Sequence, residues 1–285
     1  MGIKPPIHLS LFYGGKNKNM RRRRSNIAKT SIIFIFLLLL LASISVSYAA
    51  WFDTITIQGT ITTAEDFNYL YLEGYWKFDE GDGQAASDSS WNDNDGTVYG
   101  ASWTSGKVDG ALLFDGIDDY VQVPDDDTLD ITDEITVMAW VKVNDYESGR
   151  FYTVAGKWND RDGDYRGYLL GISTFDGNLQ PRFYISSDGS NYPSAQSSIN
   201  LNTGTWYHLA GTFDGSNLKI YVNGEEKGSY SYPASINSNN QPVLIGGDRA
   251  GGDNGRCFSG KIDEVKVYSC ALTEGKIQYQ AGLSP

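Results

Sequence analysis

From residue 69 onward apolar and polar residues alternate with a period of two, and no helical period emerges until the last residues. Alternation puts successive side chains on opposite faces of a strand, so each run reads as a half-buried β-strand. The pattern predicts strands over Tyr75–Phe78, Ala111–Asp115, Tyr120–Val123, Ile135–Val143, Tyr152–Lys157, Tyr168–Ile172, Pro181–Ser186, Trp206–Phe213, Leu218–Val222, Pro242–Ile245 and Gly260–Tyr268. Gly, Asp and Asn cluster between them. The strongest local signal is Asn223-Gly224, flanked by Leu218–Val222 and Glu225-Glu226-Lys227, because a two-residue hairpin turn needs two positive φ angles. Ala271–Tyr279 predicts one short terminal helix with Thr273 as its N-cap. The order strand, turn, strand at short spacing describes an all-β, two-sheet antiparallel sandwich.

The first 68 residues read differently. Arg21–Arg24 stand before the apolar run Ile32–Leu41, and small residues lead to Ser47-Tyr48-Ala49. A basic region, a short apolar stretch and small residues at −3 and −1 describe an export signal cleaved after Ala49; the run is about half the ~20 residues of a membrane span. If the segment stays uncleaved, it is the chain's one link to a membrane. Met20, directly before the arginines, is an alternative start. Residues 1–49 are therefore assigned to the signal region, 50–68 to an arm and linker, and 69–285 to the sandwich domain. Within the arm, Trp51–Thr62 alternates Thr and Ile with strand period. It reads either as a first strand of the sandwich or as a free arm that pairs with another sheet edge.

Charge narrows the partners. Residues 1–49 carry eight basic and no acidic residues, so the remaining 236 hold 15 basic against 35 acidic, a net charge near −20. That field repels phosphate backbones and argues against nucleic acid. Cys257 and Cys270 flank the long predicted strand Gly260–Tyr268, which rises ~3.3 Å per residue and holds them too far apart for a disulfide with each other; two unpaired thiols are expected, with a bridge to a partner chain as the alternative.

Four ordered blocks resemble laminin G-like, concanavalin A-like jelly-roll domains, over roughly residues 74–283. They are Gly106–Pro124, with Phe114-Asp115-Gly116 at its centre; Ile135–Val141; Trp206–Gly215 with Tyr221-Val222-Asn223-Gly224; and Phe258–Tyr268 followed by Ala271-Leu272-Thr273. The resemblance implies a jelly roll of about 12–14 strands. The start of the arm, Ala50–Ile61, is similar to the mature N-termini of camelysin-like biofilm fibre proteins. That likeness implies self-association by strand donation through residues 51–62.

The resemblance also implies a structural calcium, held by an Asp on the closing strand and by carbonyls near the first strand and an early turn. On this chain those are Asp263, the Asp79 region and the Gly116 region. Hard oxygen ligands on loops suit Ca²⁺, and Asp263 stands inside an apolar strand where an unpaired carboxylate is costly. Acidic loops are dense elsewhere too, as at Asp115, Asp118, Asp119 and Asp125–Asp127. Sandwich glucanases of similar shape carry Glu-x-Asp-x-x-Glu on one strand; no such spacing occurs here. Asp263 and Glu264, as neighbours in a strand, are expected on opposite faces. His208, within a strand, reads as a packed residue rather than a base. The chain is thus expected not to be an enzyme.

For ligand binding, three Gly-rich polar loops stand between predicted strands: Lys157–Arg166, Asp188–Tyr192 and Gly247–Asn254. Trp158, Asp160, Asp162, Arg166, Asp248 and Asn254 are the candidate ligand-binding residues. Trp140 and Trp206 read as core. The expected function is a secreted or cell-surface binding or adhesion module for a glycan or a cell-surface protein, with a fibre subunit as the alternative and a sandwich-type glycoside hydrolase third.

Overall fold

The computed structural model describes residues 70–159, 165–247 and 256–283. The signal region and Trp51–Thr62 lie outside the described residues, as do Asp160, Asp162, Asp248 and Asn254. Among the described residues, sixteen strands and one α-helix follow in order. They are β1 (Leu72–Trp76), β2 (Ala85–Ala86), β3 (Gly96–Tyr99), β4 (Ser102–Ser105), β5 (Gly110–Asp115), β6 (Tyr120–Val123), β7 (Ile135–Val143), β8 (Phe151–Asn159), β9 (Tyr165–Ser173), β10 (Gln180–Ile185), β11 (Ser194–Gln196), β12 (Trp206–Phe213), β13 (Asn217–Val222), β14 (Glu225–Ser231), β15 (Val243–Ile245), β16 (Ser259–Tyr268) and α1 (Glu274–Gln280). They form two eight-stranded sheets. Sheet I runs β14-β13-β12-β7-β16-β5-β4, with β1 also paired to β16; sheet II runs β11-β10-β9-β8-β15-β6-β3-β2. Every pairing is antiparallel.

The two-sheet sandwich read from the alternation is present, with more strands than expected. The additional ones, β2, β3, β4 and β11, hold two to four residues each, too few for a period to be read. The first long strand ends earlier than predicted. Phe78 has φ +60, a left-handed conformation that stops pairing. Thr273 precedes α1 in extended conformation, but its side chain makes no capping hydrogen bond.

The inward faces meet in one apolar core that includes Phe114, Val121, Val137, Val141, Tyr168, Leu170, Phe183, Leu209, Val243 and Ile262. Phe114 meets Phe258 edge-on, ring centroids 6.4 Å apart. Gly246, at φ +78, lets the Phe114 ring approach; a methyl group there would stand 2.1 Å from it. Trp140 is not part of this core. Its neighbours Ala139 and Val141 point inward, so Trp140 faces out of sheet I, where it is buried beneath Lys107 (4.6 Å from ring centroid to Nζ). Trp206 is half-buried at the start of β12. The expectation that both were core fails because a strand with both neighbours paired can bury its outer face under loops as well. α1 and the residue pair before it cover part of that outer face, packing Ile277 of the helix and Leu272 ahead of it against Met138, Ala210, Tyr221 and Tyr268.

Cys257 and Cys270 are not bridged, one buried and one half-buried at the two ends of β16. Among the described residues no helix is long and apolar enough to cross a membrane.

Candidate functional site

Strand β8 builds the site through two irregularities. Ala155 pairs with Leu170 and Thr153 with Gly171, so Val154 is an extra residue; further on, Lys157 pairs with Tyr168 and Trp158 with Arg166, so Gly167 is extra on β9. The second bulge brings Arg166 to the face that Trp158 occupies by alternation. Lys157 turns inward, 2 % exposed, and its Nζ donates to Asp125 Oδ1 at 2.5 Å and Asp130 Oδ1 at 2.6 Å. Trp158 turns outward, and Arg166, after the skipped glycine, returns to the same face beside it. The sequence pattern puts the two residues in a loop; they are cross-strand partners instead, because β8 and β9 extend past the predicted ends.

Around Trp158 the outer face of sheet II is aromatic. Tyr184 on β10 lies 6.1 Å from the Trp158 ring, and Tyr192 lies 5.8 Å from it. Phe151 meets Tyr184 edge-on at 5.4 Å. Trp158 and Phe151 are each 7 % exposed, whereas Tyr192 is 51 % exposed, so the buried rings form a floor and Tyr192 a wall. Tyr192 is carried by the turn after β10. That turn is held by Asp188, whose Oδ1 accepts from the Ser190 and Asn191 N–H groups at 2.8 and 2.7 Å. These hydrogen bonds hold the Asp188 carboxyl below its usual range. Arg166 ties the turn down: Nη1 donates to the Gly189 carbonyl at 2.8 Å, and the guanidinium lies 4.9 Å from the Tyr192 ring centroid. Two of the three loops singled out in the sequence therefore meet at Arg166 and Tyr192.

Gly156 opens a depression in this face, bordered by Thr153, Trp158, Leu169, Leu244 and Arg256. A methyl group at Gly156 would stand 2.6 Å from the Tyr168 carbonyl oxygen. Gly247, from the third loop, also borders the depression. Burial lowers the Arg256 guanidinium to about 10, which leaves it cationic at neutral pH. Tyr184 and Phe151 were missed in the sequence, although Gln180–Ile185 alternates and Tyr184 falls on its outward face.

Polar side chains on the outer face of sheet I are arranged differently. Asp263 is fully buried. Its Oδ2 accepts from the Lys107 and Val108 N–H groups at 2.7 and 2.9 Å, and its Oδ1 has no hydrogen-bond partner. Burial pushes the carboxyl up to about 7, against those two bonds, with Glu264 and Asp79 adding to the rise. Asp79 Oδ1 accepts from Gly110 N at 2.8 Å. A methyl group at Gly106 would stand 1.9 Å from the Gly110 carbonyl oxygen and 2.5 Å from Asp263 Oδ2; one at Gly110 would stand 2.3 Å from the Phe78 carbonyl oxygen. Asp263 and the Asp79 region thus come together, and the turn that joins them is Gly106–Gly110. Gly116 lies beyond the far end of β5, beside Ser259.

Glu264 departs from the simple strand picture. It has φ +54 and is the extra residue of a bulge in β16, since Ile262 and Val265 both point into the core. Asp263 and Glu264 therefore lie on the same face rather than on opposite ones. Glu264 accepts from Tyr75 OH at 2.6 Å and pairs with Lys266 at 3.2 Å. His208 is buried edge-on to Trp140 at 5.4 Å, with Nδ1 unpartnered. Other acidic residues serve the backbone: Asp126 accepts from Thr128 N at the 3₁₀ turn Asp127–Leu129, and Asp88 accepts from Tyr75 N, Ser90 N and Asn94 N. Asp115, Asp118 and Asp119 cluster, two of them exposed.

With this geometry in place, a family model described as the concanavalin A-like lectin/glucanases superfamily matches residues 115–278, more than half of the chain. The chain belongs to this family. Among solved structures, this concanavalin A-like domain is similar in fold to domain 4 of AbnA, a GH43 extracellular arabinanase from Geobacillus stearothermophilus, in complex with arabinotriose. The TM-score is 0.58 and the identity 24%, over 74% of this chain and 98% of that one. It is also similar to the binding domain of Paraclostridial Mosquitocidal Protein 1 (TM-score 0.59, 16% identity, 74% and 52% covered) and to the botulinum neurotoxin serotype C1 binding domain (0.56, 13%, 76% and 53%). The chain spans about half the length of those two toxin binding domains. No curated protein matches it in sequence.

Proposed function

We propose that the domain is a non-catalytic carbohydrate-binding module whose sugar site is the outer face of sheet II around Trp158, Tyr184 and Tyr192. The observation that carries this reading is the aromatic floor itself. Trp158 and Tyr184, packed against each other and against Tyr192 at steep angles, prop up the half-exposed Tyr192 ring, whose face is the apolar surface on which a pyranose or furanose ring stacks, with Arg166 and Tyr hydroxyls at its margin for hydrogen bonds. The arabinotriose-bound neighbour supports a sugar as ligand. The absence of catalysis is supported by the strands of sheet II, none of which carries Asp or Glu, so no pair of strand carboxylates flanks the face as retaining chemistry requires. The basic cluster and apolar run before Ala49 support delivery to the cell surface or beyond.

Affinity electrophoresis of the full chain through arabinan, xylan, mannan and β-glucan gels tests the proposal. At least one polysaccharide should retard the protein, and Tyr192→Ala should weaken that retardation ~10-fold, about the worth of one stacked ring. Equal migration of wild type and variant in every gel would refute the site.

The same reading includes calcium on the opposite sheet. The residues fit a hard cation: Asp263 offers a buried, unpartnered carboxylate oxygen, and Asp79 with the Phe78 and Gly110 carbonyls supplies further oxygens. When bound, Ca²⁺ would neutralise the buried carboxylate and tie β16 to the Gly106–Gly110 turn. Chelation is expected to lower the melting temperature by roughly 5 °C or more. Asp263→Asn keeps an acceptor for the Lys107 and Val108 N–H groups and removes the buried charge. Its melting temperature should match or exceed that of chelated wild type and ignore added calcium. A calcium-dependent melt in the Asn variant would move the ion elsewhere.

A further inference from the structure

We infer that the sugar face of sheet II is built for an acidic polysaccharide, with Arg182 as the residue that receives a uronic acid carboxylate. The inference rests on the sugar-binding reading and specifies its ligand class.

Acidic residues are partitioned between the sheets. The whole chain has 35 of them, and the strands of sheet I carry Glu73, Asp115, Glu225, Glu226, Asp263 and Glu264, interspersed with Lys142, Lys219, Lys227, Lys261 and Lys266. The eight strands of sheet II carry none; their charged residues are Lys157, Arg166 and Arg182, and Arg256 approaches the same face 5.6 Å from the Phe151 ring centroid. Lys157 points inward and is neutralised by Asp125 and Asp130. The arginines stay on the outer side. All six arginines beyond residue 49 (Arg150, Arg161, Arg166, Arg182, Arg249 and Arg256) stand in β8–β10 or in the segments that border them and β16 in sequence.

Among the arginines of the described residues, Arg182 is the one whose surroundings call for a ligand. It lies on β10, paired across to Gly171 and Gln196 and flanked on its own face by Gln180 and Tyr184. Its Nε is buried without a partner, and its other two contacts are long: Nη1 to Tyr184 OH and Nη2 to Gln180 Oε1, both 3.4 Å. A guanidinium has five N–H donors in a planar fork, and these contacts leave most of that capacity unspent. Gln196 Nε2 donates to Gln180 Oε1, so two amides, a phenol and the guanidinium form a polar row along β10 and β11. That row adjoins the Phe151–Tyr184–Trp158 rings. A sugar stacked on the rings would present its substituents to the row. The substituent that matches a planar fork whose two Nη groups, held only by long contacts, still have N–H donors to spare is a carboxylate.

Calorimetric titration of the full chain with oligogalacturonate and with the same oligomer fully methyl-esterified separates charge from sugar shape. Wild type should bind the acid form ~10-fold or more tightly than the ester, the worth of a hydrogen-bonded charge. Arg182→Gln should bind both forms equally, at the level of the ester, with an unchanged melting temperature. Arg182→Lys, which keeps the charge and loses the fork, should recover part of the preference and guards against a folding defect in the Gln variant. Equal binding of acid and ester by wild type overturns the inference while leaving the sugar site standing. A preference for the acid form that survives Arg182→Gln overturns the role of Arg182. Silence toward both oligomers, with retention on a neutral polysaccharide gel, overturns the acidic ligand alone; silence toward all of them removes the sugar site as well.

Discussion

Trp158→Ala is expected to abolish polysaccharide retention and to lower the unfolding free energy by about 3 kcal/mol, near the bottom of the range for removing a buried aromatic ring. The low end applies because the ring lies on an outer sheet face, where Tyr184 and Tyr192 can partly collapse into the space. Its contacts fix both effects. Only 7 % of Trp158 is exposed, and it supports Tyr184 and Tyr192 from beneath at 6.1 and 5.8 Å. Without it the depression over Gly156 loses one side, and Tyr192 keeps only its Arg166 and Tyr184 contacts. Trp158→Phe restores a smaller floor and should recover most of the stability and part of the retention. Urea denaturation together with gel retardation reads both quantities. A folded Trp158→Ala protein that migrates like wild type would take the ring out of the site.

Acidification is expected to destabilise the domain from pH 6.5 downward through His208. Burial lowers this imidazole to about 3, and the Lys266 charge on the same face adds to the effect. The ordinary value of a histidine is 6.5. Between those two values the unfolded chain binds a proton that the folded one refuses. The stabilisation is therefore complete above pH 6.5 and is lost as pH falls toward 3, by up to about 1.4 kcal/mol per pH unit for this one group. Carboxylates titrate in the lower half of the same window, so the His208 share is isolated by comparison with His208→Gln, which is uncharged throughout. The difference in slope between the two proteins from pH 6.5 to 4.5 should approach one proton; parallel curves would contradict a buried neutral imidazole.

Much of the sandwich was legible because its long strands obey period two. The predicted bounds of Tyr120–Val123, Ile135–Val143 and Trp206–Phe213 are those observed. The strands missed were the short ones, where Gly, Ser and Thr leave no apolar rhythm. The candidate site was legible in composition and not in position. Trp158 and Arg166 were selected as loop residues for their chemistry, yet their place on a common face depends on Gly167 being skipped in the pairing of β8 with β9. The same limit explains Glu264: alternation puts it opposite Asp263, and a bulge puts it alongside.

Sequence alone determined the all-β class, the order of the long strands, the Asn223-Gly224 hairpin and the acidity that disfavours nucleic acid, because alternation, turn conformation and net charge are local or additive properties. Tertiary structure alone decided that Trp158, Tyr184 and Tyr192 share one surface, that Asp263 meets the Gly106–Gly110 turn, and that acidic residues are absent from one entire sheet. Those facts depend on which distant strands pair and in what register, and a single bulge moves a side chain from one face to the other without leaving a mark in the local pattern.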